Sequence, residues 1–239
     1  MQIQHPCINF RKVVSRVDKA IFKSIRDLYV ALGGIEKINA YAAACQIWLE
    51  TGGTSSELSH AAFNFAGIKA TDQWKKAGGE VYRKVTKEVI NGREVTVSAE
   101  FRKYTSPLHF FQDYSAKWQE SRYVKAGLQD NLGSFWLCFA ALNTGGWATD
   151  LSYFTKLCAV ADSKGFEVFG TSWTTKKVAS LEYAVTSKIL TATQKKHLTE
   201  LLTNAKKLQK HTEKVSKESP EAVQKSPPLK TTAPVVVGI

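Results

Sequence analysis

No apolar run in this 239-residue chain is long enough to cross a bilayer. The longest, Phe135 to Leu142, falls well short of the ~20 residues that a spanning helix needs. The opening stretch MQIQHPCINFRKVVSRVDKA likewise lacks the continuous apolar segment of a secretory leader. Together these absences predict a chain made in the cytoplasm that reaches any outside target by another route. Cysteine is scarce: Cys7, Cys45, Cys138 and Cys158 form no CxxC pair, and the last three fall within apolar helical patterns. That distribution predicts buried free thiols, not a disulfide framework. The five histidines are dispersed, with no HExxH and no cysteine at ligand spacing, which excludes the familiar zinc sites. A Walker loop, a G-x-S-x-G elbow and a dinucleotide fingerprint are missing too. The chemistry must therefore come from ordinary side chains, with no metal or organic cofactor expected.

What is present describes a globule with an appendage. The 44% hydrophobic and 11% aromatic content is that of a folded domain. The net charge of +12 calls for an anionic partner, and residues 164–239 hold 13 Lys/Arg against 6 Asp/Glu, more than half of that excess. These lysines are not interleaved with aromatics and carry no recognition motif, which argues against nucleic acid.

Apolar groups at Val14, Val17, Ile21, Ile25, Leu28 and Leu32 predict an amphipathic helix that stops at Gly33-Gly34. Ile38, Ala42, Cys45 and Leu49 form the stripe of a second helix, ended by Gly52-Gly53, with Glu50 in its last turn. The period then changes. Val95, Val97, Ala99 and Phe101 alternate with polar residues, and Asn91-Gly92 is a strong two-residue turn signal, so residues 79–104 are expected to form a β-hairpin. Helical patterns resume over 108–157, with Thr149-Asp150 as a helix start, and complete an α+β domain over residues 1–163. A helical extension is expected over 164–214, carried by Val178, Leu181, Val185 and Ile189 and then by Leu198, Leu201, Leu202, Ala205 and Leu208. From 215 to 239 the Lys-, Ser- and Pro-rich composition predicts a flexible basic tail.

Glu50 is the carboxylate with the most suggestive setting. The negative end of a helix dipole and partial burial beside Trp48 and Leu49 both disfavour ionisation, raising the pKa toward the range of a general acid. Hen lysozyme, the standard example, keeps a catalytic acid protonated in this manner. The local pattern leaves a second reading open, a solvated glutamate at a helix end. On the hairpin, the Asn91-Gly92 turn pairs Glu88 with Val95 and puts Glu88 on the apolar face, away from Glu94 and Glu100. Here too a solvated strand glutamate is the alternative.

A collinear run of motifs now enters. Ala43-Ala44-Cys45-Gln46-Ile47-Trp48-Leu49-Glu50-Thr51-Gly52, Ser55-Ser56-Glu57-Leu58 and Asn64-Phe65-Ala66-Gly67-Ile68-Lys69-Ala70 are followed by Trp74, Thr86-Lys87-Glu88 and Phe101-Arg102-Lys103-Tyr104-Thr105-Ser106. Asp113-Tyr114, Arg122-Tyr123 and Ala148-Thr149-Asp150 with Tyr153 complete it. Over residues 38–162 this resembles glycoside hydrolase family 73, the glucosaminidases of autolysins, flagellar enzymes and phage lysins. Gly53, Thr54, Phe63, Ala66 and Leu151 depart from the family pattern and alter the groove wall.

The resemblance implies a lysozyme-like α+β fold whose groove holds a peptidoglycan glycan strand and cleaves the β-1,4 bond after N-acetylglucosamine. It makes Glu50 the catalytic acid, Glu88 the second acidic residue and Tyr123 a groove tyrosine. Trp74, Tyr104 and Tyr114 are further candidates to stack on sugar rings. It leaves two mechanisms open, a water positioned by Glu88 or attack by the substrate's own acetamido group. The basic tail is expected to meet anionic wall or virion components. The contrasting expectation is a non-hydrolytic module that grips the wall and has kept the fold.

Overall fold

A computed structural model describes residues 37–51, 56–90 and 93–218. The helix expected over 13–32, Cys7, the glycine pair after Thr51, the Asn91-Gly92 turn and residues 219–239 lie outside the described residues.

Helix α1 (Ala40–Thr51) sits at the centre. Asn39 starts it by accepting from the Ala42 amide at 2.8 Å, satisfying one of the free donors of the first turn. The sequence predicts one apolar stripe, yet every residue from Ala42 to Ile47 is buried. The cause is that α1 packs against two helices, α6 (Phe135–Thr144) and α7 (Tyr153–Phe169). Small side chains at Ala42, Ala43, Ala44 and Cys45 let both approach. Cys45, Cys138 and Cys158 are free and buried, as expected, and burial pushes all three thiols up.

Short helices α2 (Glu57–Ala62) and α3 (Asp72–Lys76) lead into strands β1 (Val81–Ile90) and β2 (Arg93–Arg102). The antiparallel register pairs Ile90 with Arg93, Glu88 with Val95 and Thr86 with Val97, as a two-residue turn requires. Ala99 and Phe101 face a small core with Leu58 and Ala62. Val95 lies on the same face but is 39% exposed, because the outer half of the hairpin reaches past the body. The segment before α3 runs beside β2, with the Arg102 amide donating to Ile68 O at 2.9 Å and the Ala70 amide to Glu100 O at 2.8 Å. Buried Asn64 fastens this loop by donating to Ile68 O and Arg102 O and accepting from the Ile68 amide. The expected α+β arrangement, a helical body with a hairpin lobe, is what these elements build.

Helices α4 (Pro107–Trp118) and α5 (Ser121–Lys125) complete the body before α6. Beyond it, the boundary expected at 163 falls inside a helix. Helix α7 passes through position 163 without a break and continues to Phe169. Helices α8 (Trp173–Val185) and α9 (Ala192–Glu218) then fold back as a hairpin of helices. Trp173, Leu181, Leu198 and Ala205 enter the same core as Ala42 and Trp136. Trp173 lies so close to α7 that a Cβ at Gly165 would fall 1.9 Å from its ring, so only glycine fits there. Helix α9 also outlasts the expected start of the tail at 215, because its Lys- and Glu-rich residues are good helix formers.

Candidate active site

Glu50 stands in the last turn of α1; the residue as a whole is exposed, while the surroundings of its carboxyl group are dense with protein. Crowding governs its acidity: burial pushes the carboxyl up to about 7, against weaker opposing hydrogen bonds from Tyr153 and Trp147. Tyr153, the first residue of α7, donates to Glu50 Oε1 at 3.3 Å. Its own hydroxyl accepts from Gln46 Nε2 at 2.6 Å, and Gln46 Oε1 accepts from the Tyr114 hydroxyl on α4. Gln46 precedes Glu50 by four residues and so lies on the same helix face, one turn back. Gly67 lies beside the other carboxyl oxygen. Its φ of +61° is a conformation that L side chains rarely adopt, and a Cβ there would come within 3.9 Å of Glu50 Oε2. A carboxylic acid kept protonated near neutrality, open on one side, can deliver a proton to a leaving oxygen.

The remaining sequence candidates fare differently. Glu88 holds the expected register opposite Val95, while its side chain lies outside the described residues. Tyr123 is expected to line the groove but is fully buried, packed against Trp147 and Gly145, with its hydroxyl unpartnered among the described residues. Tyr104 is also core: it donates to Asp113 Oδ2 at 2.6 Å, and Arg102 pairs with Asp113 Oδ1 at 2.6 Å. Tyr114 is enclosed and spends its hydroxyl on Gln46. The stacking role expected of these three is thereby corrected, since a ring without surface cannot meet a sugar. Trp74 keeps partial exposure, with Arg102 over its ring at 4.8 Å and its indole donating to Glu80 O at 2.8 Å.

Three residues beside Glu50 escape a reading for acids and exposed rings: Gln46, Trp147 and Tyr153. Gln46 carried a signal, as the one strongly polar side chain between Ala42 and Leu49 of an otherwise apolar helix. Trp147 and Tyr153 are distant in sequence and join the site only through packing.

Comparison with known proteins bears on this site. A family model described as Glucosaminidase, mannosyl-glycoprotein endo-beta-N-acetylglucosaminidase, matches residues 26–165. The exo-glucosaminidase LytG of Bacillus subtilis is 30% identical over 123 residues, 49% of this chain and 41% of the relative. The peptidoglycan hydrolase FlgJ of Salmonella typhimurium is 35% identical over 107 residues, 44% of this chain and 31% of the relative. The chain thus spans well under half the length of these curated relatives. In fold it is similar to an N-acetylmuramoyl-L-alanine amidase structure from Staphylococcus aureus, with a TM-score of 0.52 at 23% identity over 65% of this chain and 43% of that one. The family model covers more than half of the chain, including α1 with Glu50 and the whole hairpin, and the chain belongs to the glucosaminidase family, glycoside hydrolase family 73.

Proposed function

We propose that this chain hydrolyses the glycan strands of peptidoglycan, cutting the β-1,4 bond after N-acetylglucosamine with Glu50 as general acid. The observation that carries the reading is the Glu50 carboxyl, held up to about 7 by burial at an open edge of a glucosaminidase domain. Such an acid keeps its proton in a large share of molecules at neutral pH, and the protonated form becomes a carboxylate as the leaving oxygen takes its proton. The setting is the bacterial wall; among the described residues no helix is long and apolar enough to cross a membrane. Digestion of purified peptidoglycan followed by mass spectrometry tests the reading. N-acetylglucosamine at the new reducing ends is expected, whereas N-acetylmuramic acid there, or no release, contradicts it. Internal cutting gives long and short fragments together, which separates an endo enzyme from exo trimming.

Glu88 is proposed as the second acid, on its register position and its family position. Glu88→Gln is expected to slow cleavage by about 100-fold, the lower end of the range for loss of an assisting acid or base. NMR of the fresh product then reads the mechanism. An inverted anomer means that Glu88 positions water, and retention means attack by the acetamido group. A fully active Glu88→Gln enzyme removes Glu88 from the site.

Basic residues after position 164 are proposed to hold the enzyme to anionic wall polymer. Lys195, Lys196, Lys207 and Lys210 lie exposed along α9. Changing all four to Gln should weaken binding to whole walls by about tenfold at low salt. The difference should vanish as salt shortens screening below about 8 Å, and turnover on a short soluble glycan should not change. Wall binding that ignores both salt and these lysines rules the role out.

A further inference from the structure

Tyr114, Gln46 and Tyr153 are all buried, sit on three different helices, and are linked by hydrogen bonds that run one way. A carboxamide oxygen can only accept and its nitrogen can only donate. With Tyr114 donating to Gln46 Oε1 and Gln46 Nε2 donating to Tyr153, the lone pair of Tyr153 that faces Gln46 is occupied. Its single proton is therefore directed at Glu50 Oε1. We infer that Tyr114–Gln46–Tyr153 is a positioning relay that holds Glu50 Oε1 as an acceptor and reserves Oε2 for the proton delivered to the glycosidic oxygen.

The inference rests on Glu50 being the general acid. A protonated carboxyl has one donating oxygen and one accepting oxygen. Because Oε1 receives the Tyr153 proton, the acidic hydrogen is placed on Oε2, the oxygen beside Gly67, a residue that brings no side chain of its own to that spot. Delivery then moves the proton from Oε2 to the leaving oxygen as the glycosidic bond breaks, and leaves a carboxylate that Tyr153 continues to stabilise. The relay also keeps the Tyr153 donor from rotating away, since turning its hydroxyl to Gln46 would set hydrogen against hydrogen. Among the described residues, the groups that act on Glu50 are the Tyr153 hydroxyl and Trp147, each through a hydrogen bond, while Tyr114 feels the Glu50 charge without being a direct partner of it. Burial pushes both tyrosine hydroxyls up, so each remains a donor across the working pH range. Tyr123 and Cys138 face Tyr114 in turn, and burial holds both protonated as well.

The relay predicts a graded effect that simple packing does not. Each link stabilises the Glu50 carboxylate, so removing a link raises the Glu50 pKa. In the full chain carrying carboxyl-13C glutamate, the Glu50 resonance is identified by its loss in Glu50→Gln and titrated between pH 4 and 9. Tyr153→Phe should move the midpoint up by about one unit and Tyr114→Phe by about half a unit, within the range for loss of one hydrogen bond to a charged form. Tyr114→Phe in the Tyr153→Phe background should add nothing, because Tyr114 acts only through Gln46 and Tyr153. Should Tyr114→Phe fail to fold with Gln46 Oε1 unpaired, Tyr114→Phe with Gln46→Met removes donor and acceptor together, breaks the link to Tyr153 as well, and should raise the midpoint by about half a unit or more. An unmoved midpoint in the Tyr114 variants, or additivity in the double variant, overturns the relay. The titration does not depend on turnover, so failure of the relay is read separately from failure of the hydrolase reading, which a fully active Glu50→Gln enzyme would expose.

Discussion

Glu50→Gln is expected to fold as the parent does and to lose at least about 100-fold in kcat on peptidoglycan, the range for removal of a general acid. The substitution is nearly isosteric and the amide oxygen can still accept from Tyr153, so the pocket keeps its shape while the transferable proton is gone. The pH dependence gives a second reading of the same group. Burial raises the carboxyl from its ordinary value to about 7, so parent activity that needs the protonated form should fall as pH rises through about 7. Stability follows the same window. A carboxyl whose folded pKa is raised contributes fully below its unfolded value, and that contribution is lost as pH climbs through the folded pKa. Glu50→Gln should therefore melt with the parent near pH 4 and about 2 °C above it at pH 8. That increment corresponds to ~1 kcal/mol in a chain of this size, a deliberately discounted figure because one side of the carboxyl faces water. More than a tenth of parental turnover in Glu50→Gln would remove Glu50 from its role.

The legible parts of this molecule were those encoded by local periodicity and turn chemistry. Asn91-Gly92 and the alternation from Val95 to Phe101 specified the hairpin and its register, because side chains alternate faces with period two and a two-residue loop leaves one pairing. Glu50 could be placed at a helix end from the apolar spacing before it and the glycines after it. Which aromatic rings face a groove was not legible. Tyr104, Tyr114 and Tyr123 are amphipathic by type, and only the three-dimensional packing decides whether the ring or the hydroxyl finds the interior. Gln46 shows the converse. A polar residue within an apolar helix had to find partners, but those partners, Tyr114 and Tyr153, lie 68 and 107 residues away. Sequence spacing predicts that such a group is satisfied, not by whom.

The helical pair after α7 gives the last and largest stability effect. Its periodicity is visible in Val178, Leu181, Leu198 and Leu202, but periodicity says only that a helix has an apolar face and leaves open whether that face covers a sister helix or the main core. Here it does both. Helices α8 and α9 pack on each other, while Trp173 stacks on Phe169 at 5.3 Å and meets the Tyr41 ring of α1 at 6.3 Å. Buried Gln194 anchors α9 to the end of α6 by donating to Asn143 Oδ1 at 3.1 Å and Ala140 O at 3.3 Å. Tyr41 shares its helix with Glu50, so the extension braces the element that carries the proposed acid. Trp173→Ala should cost about 3–5 kcal/mol, the range for deleting a buried aromatic side chain. With ~2–4 °C lost per kcal/mol in a chain of this length, the melting midpoint should drop by at least about 6 °C. Truncation after Phe169 strips the core of Trp173, Leu181, Leu198 and Ala205 together and should abolish cooperative unfolding along with hydrolysis. A truncated protein that still melts cooperatively near the parental temperature and turns over soluble glycan would show that the helical pair is an appendage and that α1 holds Glu50 in place without it.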